Sequence, residues 1–172
     1  MKKNSNPLDR FARDLAPGTL EWIGVRPERR ARLKELERVV AIAGAGLTGD
    51  HRTGKTPGSG RQVTIISTEF LEQIKHYTGL SELHPGQLRR NLVVSGINLN
   101  ALRYQRFEIG GALFEANALC HPCSRMESAL GRGGVAAMLG HGGLCCTILE
   151  SGTIRVGDAV IVAAEGLTGD LF

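Results

Sequence analysis

Cys120-His121-Pro122-Cys123 carries the strongest chemical signal in the chain. A thiol acts as nucleophile or soft ligand only as its thiolate, and a nearby cation, a helix N-terminus or a second Cys lowers its pKa. All three aids are expected here. Arg125 lies two residues beyond Cys123, and Ser124-Arg125-Met126-Glu127-Ser128-Ala129-Leu130 reads as a short helix starting just after it. Cys123 is therefore expected to be the reactive thiol. Cys120, which ends an apolar strand-like run, is expected to turn toward the sheet or to act as a resolving partner. Two thiols packing as small apolar residues would also satisfy the pattern.

The same spacing admits zinc. Cys120 and Cys123, with His141 and either Cys145 or Cys146, could supply four ligands to a structural site. Cys145 and Cys146 are adjacent in a strand-like run and would point to opposite faces, so only one of them could join. A thiol–disulfide oxidoreductase is a third reading. Its Cys-x-x-Cys is expected at a helix start beside a βαβ pattern, and no such pattern surrounds this one.

Gly49-Asp50-His51-Arg52-Thr53-Gly54-Lys55-Thr56 matches the Walker A pattern letter for letter. In a phosphate-binding loop the Lys-Thr opens a helix whose N–H groups hold the phosphates. Pro57-Gly58-Ser59-Gly60 follows here and cannot open a regular helix, and Asp50 would face anionic oxygens. Nucleotide hydrolysis is refused on that context. Arg52, Lys55 and Arg61 still converge in sequence on a loop able to hold an anion.

The elements that must position these residues are short and turn-rich. Strands are expected at 19–25, 39–43, 62–67, 91–95, 106–109, 112–119, 144–149, 153–156 and 159–163. Gly110-Gly111 forms a two-residue hairpin signal between two of them. Residues 29–37 read as a charged helix or an irregular excursion, and 44–60 as a long loop. A helix is expected from Thr68 as N-cap to Gly79 as its stop, with Phe70, Leu71, Ile74 and Tyr77 on one face. Many short strands with few helices predict a mainly β fold, a strongly twisted, distorted barrel rather than a parallel sheet.

At 172 residues with 42% apolar content and 23 glycines, the chain reads as one domain at 18–172 behind a polar arm at 1–17. The net charge of +4 comes with only 5% aromatics, which argues against nucleic acid as partner. The basic run 26–34 reads as a solvated face. No apolar run approaches a membrane span, and no apolar stretch follows the basic N-terminus as a secretory signal requires. Four Cys in that context point to a reducing, cytoplasmic compartment. Gly46-Leu47-Thr48-Gly49-Asp50 recurs as Gly166-Leu167-Thr168-Gly169-Asp170, reused as a glycine turn rather than as a solenoid repeat.

Five segments, in order, resemble the MOSC domain, the module at the C-terminus of molybdenum-cofactor sulfurases and in small stand-alone bacterial proteins. They are Gly46-Leu47-Thr48-Gly49-Asp50-His51-Arg52, Arg61-Gln62-Val63-Thr64-Ile65, Arg89-Arg90-Asn91-Leu92-Val93-Val94, the Pro122-Cys123 pair and Val156-Gly157-Asp158-Ala159-Val160. Where stand-alone members often carry Glu-Asn, this chain has Arg90-Asn91. The resemblance implies a distorted barrel like that of pyruvate kinase, with Cys123 as a thiol that carries sulfur as persulfide or ligates molybdenum. It implies the molybdenum cofactor as ligand, held by Asp50, His51, Arg52, Arg61, Arg89, Arg90, Asn91 and Arg125. A sulfur donor such as a cysteine desulfurase, or a molybdoenzyme, is the implied partner. Pyridoxal phosphate is not expected in this chain itself.

Overall fold

Eleven strands and four short α-helices make up residues 9–164, the part of the chain described by the computed structural model. The strands are β1 (Gly18–Val25), β2 (Lys34–Leu36), β3 (Arg38–Ile42), β4 (Gly46–Leu47), β5 (Val63–Ser67), β6 (Leu92–Ser95), β7 (Arg106–Ile109), β8 (Ala112–Leu119), β9 (Leu144–Glu150), β10 (Gly152–Arg155) and β11 (Ala159–Val162). The helices are α1 (Thr68–Thr78), α2 (Leu99–Leu102), α3 (Arg125–Leu130) and α4 (Gly134–Met138). Among these residues none forms a helix long and apolar enough to cross a membrane.

Seven strands close into a barrel in the order β1-β6-β5-β9-β8-β7-β11 and back to β1. The seam is antiparallel, with Gly18 opposite Val160 and Thr19 opposite Ala159. Only β5 and β6 pair in parallel, and the chain between them carries α1, the crossover that a parallel pair requires. Strand β2 hangs on the outside edge of β1, and β10, β3 and β4 form a small second sheet.

Side chains alternate strictly enough to build two cores. Ile23, Ile65, Leu92, Val94, Phe107 and Phe114 point inward and fill the barrel, the two Phe rings stacked 5.4 Å apart. Their neighbours Trp22, Ile66 and Val93 point out and meet Leu71 and Ile74 of α1, Leu88, Met126 and Leu130 of α3, and Met138 of α4. The second core glues the helices, and with them the segment after β8, onto the outside of the barrel.

Several local expectations change. Residues 29–37 form no helix; they turn and then pair as β2 with β1, Gly24 opposite Glu35. The N-cap of α1 is Ser67 rather than Thr68, its hydroxyl accepting from the Phe70 N–H at 3.1 Å. Tyr77 is 59% exposed, so the buried stripe of α1 is Leu71 and Ile74. The apolar stretch before β9 is a helix, α4, and the helix after Cys123 starts at Arg125. The segment 9–14 is a 3-10 helix with Ala12 buried, and the second Gly-Leu-Thr-Gly-Asp copy lies outside the described residues.

Gly143, just before β9, has φ of +87°, and a Cβ there would stand 1.9 Å from the Ile65 carbonyl oxygen. Gly111 in the β7–β8 turn would bring a Cβ no closer than 3.7 Å to its neighbours. Gly143→Ala is therefore expected to cost ~3 kcal/mol or more through left-handed strain and backbone clash. Gly111→Ala should cost well under ~1 kcal/mol, being an open surface position. Urea unfolding of the two variants checks the ranking.

Candidate functional site

Four stretches distant in sequence meet on the outer margin of the barrel, beside the second core. Arg26 follows β1; Asp50, His51 and Arg52 follow β4; Arg61, Gln62, Val63 and Thr64 run into β5; Leu88, Arg89, Arg90 and Asn91 lead into β6. The chain leaving β8 brings His121, Cys123, Ser124, Arg125 and Met126 to the same place. Together with Leu33 they line a cavity of about 360 Å³, within the size range of small-molecule sites.

Asp50 organises one wall. Its carboxylate accepts from the backbone N–H groups of Arg26 and Arg52, both at 3.0 Å, and from the Asn91 side-chain amide at 3.3 Å. His51 fixes the same junction, its N–H donating to the Arg26 carbonyl at 2.7 Å. Asn91 is equally committed. Its side-chain oxygen accepts from the Thr64 N–H and hydroxyl, and its amide also donates to the Gly24 carbonyl at 3.2 Å. Asp50 and Asn91 line the cavity but spend their polar atoms on joining β1, β5 and the 44–60 loop.

Arg90 is committed too. It is 4% exposed, and its guanidinium donates to three carbonyls: Gly142 at 2.9 Å, Leu88 at 2.8 Å and Cys120 at 3.3 Å. No carboxylate pairs with it among the described residues. Burial lowers its pKa, and the facing Cys120 thiol works against that loss.

The remaining cations are uncommitted. Among the described residues the guanidiniums of Arg26, Arg52, Arg61, Arg89 and Arg125 make no hydrogen bond or ion pair, and the Arg26 Nε is buried without a partner. Burial lowers the pKa of Arg26, partly offset by Asp50. Burial, then the charges of Arg26, Arg125 and Arg52, lower that of Arg89. Arg89 also holds a left-handed backbone, φ 59°, where it ends the 3-10 turn Pro85–Leu88. A strained non-glycine residue in a cluster of mutually repelling cations is a combination found at binding sites.

Cys123 is exposed and unbonded to any other cysteine. Its carbonyl accepts from the Met126 N–H at 2.8 Å, which anchors it at the base of α3. His121 lines the same cavity. Cys120 is buried, does not line the cavity, and continues the β8–β9 ladder opposite Gly143, while Cys145 stands opposite Ala118. Cys146 faces the barrel interior. His141 packs against the rings of Phe70 and Tyr77. Among the described residues no group of three or more His, Cys, Asp or Glu could hold a metal ion, so the four-ligand zinc site is not assembled. The 49–56 loop is made mostly of turns, with no helix at Lys55.

The sequence placed nine lining residues here and missed Arg26, which heads the basic run read as solvent-facing. Its signal was its position as the first residue past an apolar strand, next to a proline. The cavity can thus bind an anion through convergent guanidiniums and present a free thiol to it.

In sequence the chain matches the MOSC domain over residues 43–161. No curated protein matches it significantly. Among solved structures it is similar to the YuaD protein of Bacillus subtilis, with a TM-score of 0.75 and 22% identity over 84% of this chain and 94% of that one. It is also similar to YiiM from Geobacillus stearothermophilus, TM-score 0.68 and 16% identity over 88% and 77% of the two chains. YiiM from Escherichia coli gives a TM-score of 0.65 at 15% identity over 86% and 71%. With the barrel, the motif order and the matched span in agreement, the chain belongs to the MOSC domain family.

Proposed function

We propose that this protein binds the molybdenum cofactor in the arginine-lined cavity and uses Cys123 as its thiolate, to ligate molybdenum or to carry a sulfur atom to it. One observation carries the reading: a free, exposed thiol shares a small cavity with five unpaired guanidiniums. A sulfur carrier alone would need the thiol but not the arginines. An anionic ligand with a soft metal or sulfur centre uses both.

The residues present fit such a group by their donor chemistry. Arg26, Arg52, Arg61, Arg89 and Arg125 would hold its phosphate by charge-assisted hydrogen bonds, and Cys123 would meet its soft end. When bound, the cofactor supplies a redox-active, thiophilic metal. The chain's own part is to position and to compensate charge. Asp50 and Asn91 hold the walls in register, the guanidiniums surround the anionic end, and Leu88 and Met126 close the apolar side. A cysteine desulfurase as sulfur donor and a molybdoenzyme as acceptor complete the proposal.

Cys123→Ser is expected to abolish sulfur loading and to weaken cofactor binding by at least ~100-fold, the loss of a metal–thiolate bond. Cys120→Ser should leave most of both. Equilibrium dialysis with extracted cofactor, and mass spectrometry for a 123-linked persulfide, decide it; unchanged binding in Cys123→Ser defeats the reading.

Arg89→Gly separates the anion site from the fold. Glycine accepts the φ of 59° freely, so the variant should be more stable by ~1 kcal/mol. Its affinity for the cofactor should nonetheless fall by ~10-fold or more, since a charge-assisted hydrogen bond is lost. Thermal unfolding and dialysis on the same sample test the opposite signs together.

A further inference from the structure

The basic charge of this protein is gathered on one side. Eleven of the 21 Lys and Arg residues, but only two of the 17 Asp and Glu, fall in residues 26–34, 50–61, 89–91 and 121–126, the stretches that build the cavity. The rest of the chain is left with ten basic and fifteen acidic residues. Five of the eleven stand outside the cavity lining: Arg29, Arg30, Arg32, Lys34 and Lys55, all exposed.

Strand pairing fixes where they sit. Val25 stands opposite Lys34, so residues 26–33 are the loop of the β1–β2 hairpin, and its two ends, Arg26 and Leu33, both line the cavity. The loop turns through the Ala31 N–H, which donates to the Glu28 carbonyl at 3.1 Å, and Arg30 takes a left-handed backbone with φ 68°. The 50–61 loop is joined to this one where the His51 N–H donates to the Arg26 carbonyl, and Lys55 follows in the same run of turns. A second tier of cations thus stands outside the guanidiniums that line the cavity.

Little opposes this charge. Asp50 is turned inward onto Arg26, Arg52 and Asn91, and Glu127 in α3 is spent on the N–H groups of Gly133 and Val135. Glu28 alone remains in the hairpin loop. The rim also has no apolar anchor: among the described residues, none of the exposed large hydrophobic side chains belongs to these stretches. A strand of nucleic acid needs aromatic rings to stack on, and a lipid surface needs an apolar wedge to insert. A cationic rim with neither matches an acidic polypeptide segment, whose carboxylates pair with guanidinium and ammonium groups.

We propose that this rim docks an acidic loop of a partner protein and guides that protein's cysteine persulfide onto Cys123.

The proposal rests on Cys123 being the functional thiol and adds the surface that recognises the donor. Cys123 is exposed and lines the cavity, so a donor sulfur has to enter past the two basic loops. The Cys123 sulfur attacks the terminal sulfur of the persulfide. The donor's S–S bond breaks, and its cysteine leaves with the proton that Cys123 gave up. One sulfur atom changes hands with no external oxidant or reductant.

The test measures thiol–disulfide exchange at Cys123 in the full chain. Three probes each carry one thiol as a mixed disulfide with nitrothiobenzoate: a Glu-rich peptide, an uncharged peptide of the same length and a single-stranded oligonucleotide. The Cys123 sulfur attacks the probe sulfur, and nitrothiobenzoate leaves as a coloured thiolate. At low salt the acidic peptide should react ~10-fold or more faster than the uncharged one, and the gain should fade as salt rises. Arg29→Glu combined with Arg32→Glu, two exposed positions outside the lining, should remove most of that gain and leave the uncharged peptide's rate unchanged. Arg155→Glu, an exposed position on β10, should keep it. A gain that survives the double variant, an equal loss in Arg155→Glu, or an oligonucleotide faster than the acidic peptide overturns the proposal. No cofactor enters this assay, so any of those results leaves the cofactor reading standing. An uncharged peptide that fails to react at Cys123 removes the thiol on which both rest.

Discussion

Asp50 is the one acidic side chain in a cavity walled by six arginines, and it faces the protein rather than the opening. Its two oxygens hold the chain after β1, the loop after β4 and the residue just before β6. Those segments carry four of the arginines: Arg26, Arg52, Arg89 and Arg90. Guanidiniums repel one another, so they gather only where something fixes their backbones independently of their charges. Here the fixing is done by backbone N–H groups donating to Asp50 and by the Asn91 amide. The carboxylate thus sets the geometry of the arginine-lined cavity and partly offsets the burial of Arg26.

That division of labour explains why the sequence was legible only in part. The hairpin at Gly110-Gly111, the stop of α1 at Gly79, the barrel class and the order of the family motifs could all be read from local patterns. So could nine of the lining residues, because motifs that occur in one order in one family converge on one place. Their division into roles could not. Arg89 and Arg90 are neighbours of the same type, yet one is strained and open to the cavity while the other is buried under three carbonyls. The difference arises from a left-handed residue between a 3-10 turn and a strand, which no periodicity announces. Arg26 was hidden for the opposite reason: its neighbours are ordinary surface charges. Likewise 29–37 has apolar spacing compatible with a helix, but pairing with the exposed edge of β1 satisfied its backbone instead.

The two cores divide the molecule by task. The barrel interior is apolar and closed, and gives a rigid support. The outer core binds the helices, and its margin forms the apolar side of the cavity through Leu88 and Met126. The thiol loop is thereby attached at both ends, by the ladder at Cys120 and by Met126 in the outer core. The Cys123 side chain, held this way, keeps its exposure without freedom to wander.

The barrel seam has a consequence for how the molecule comes to exist. β1 and β11 are the first and last strands of the described chain, and they pair with each other. The ring therefore cannot close until everything from β1 to β11 has left the ribosome. Until then the inward face of β1, with Leu20 and Ile23, is bounded by an unpaired edge. Folding dominated by such non-local pairing is slow, and its intermediates expose strand edges. During synthesis the last strand acts as the latch of the whole assembly, so the molecule's vulnerability to proteases and to association with its own copies is concentrated in the interval before that latch engages.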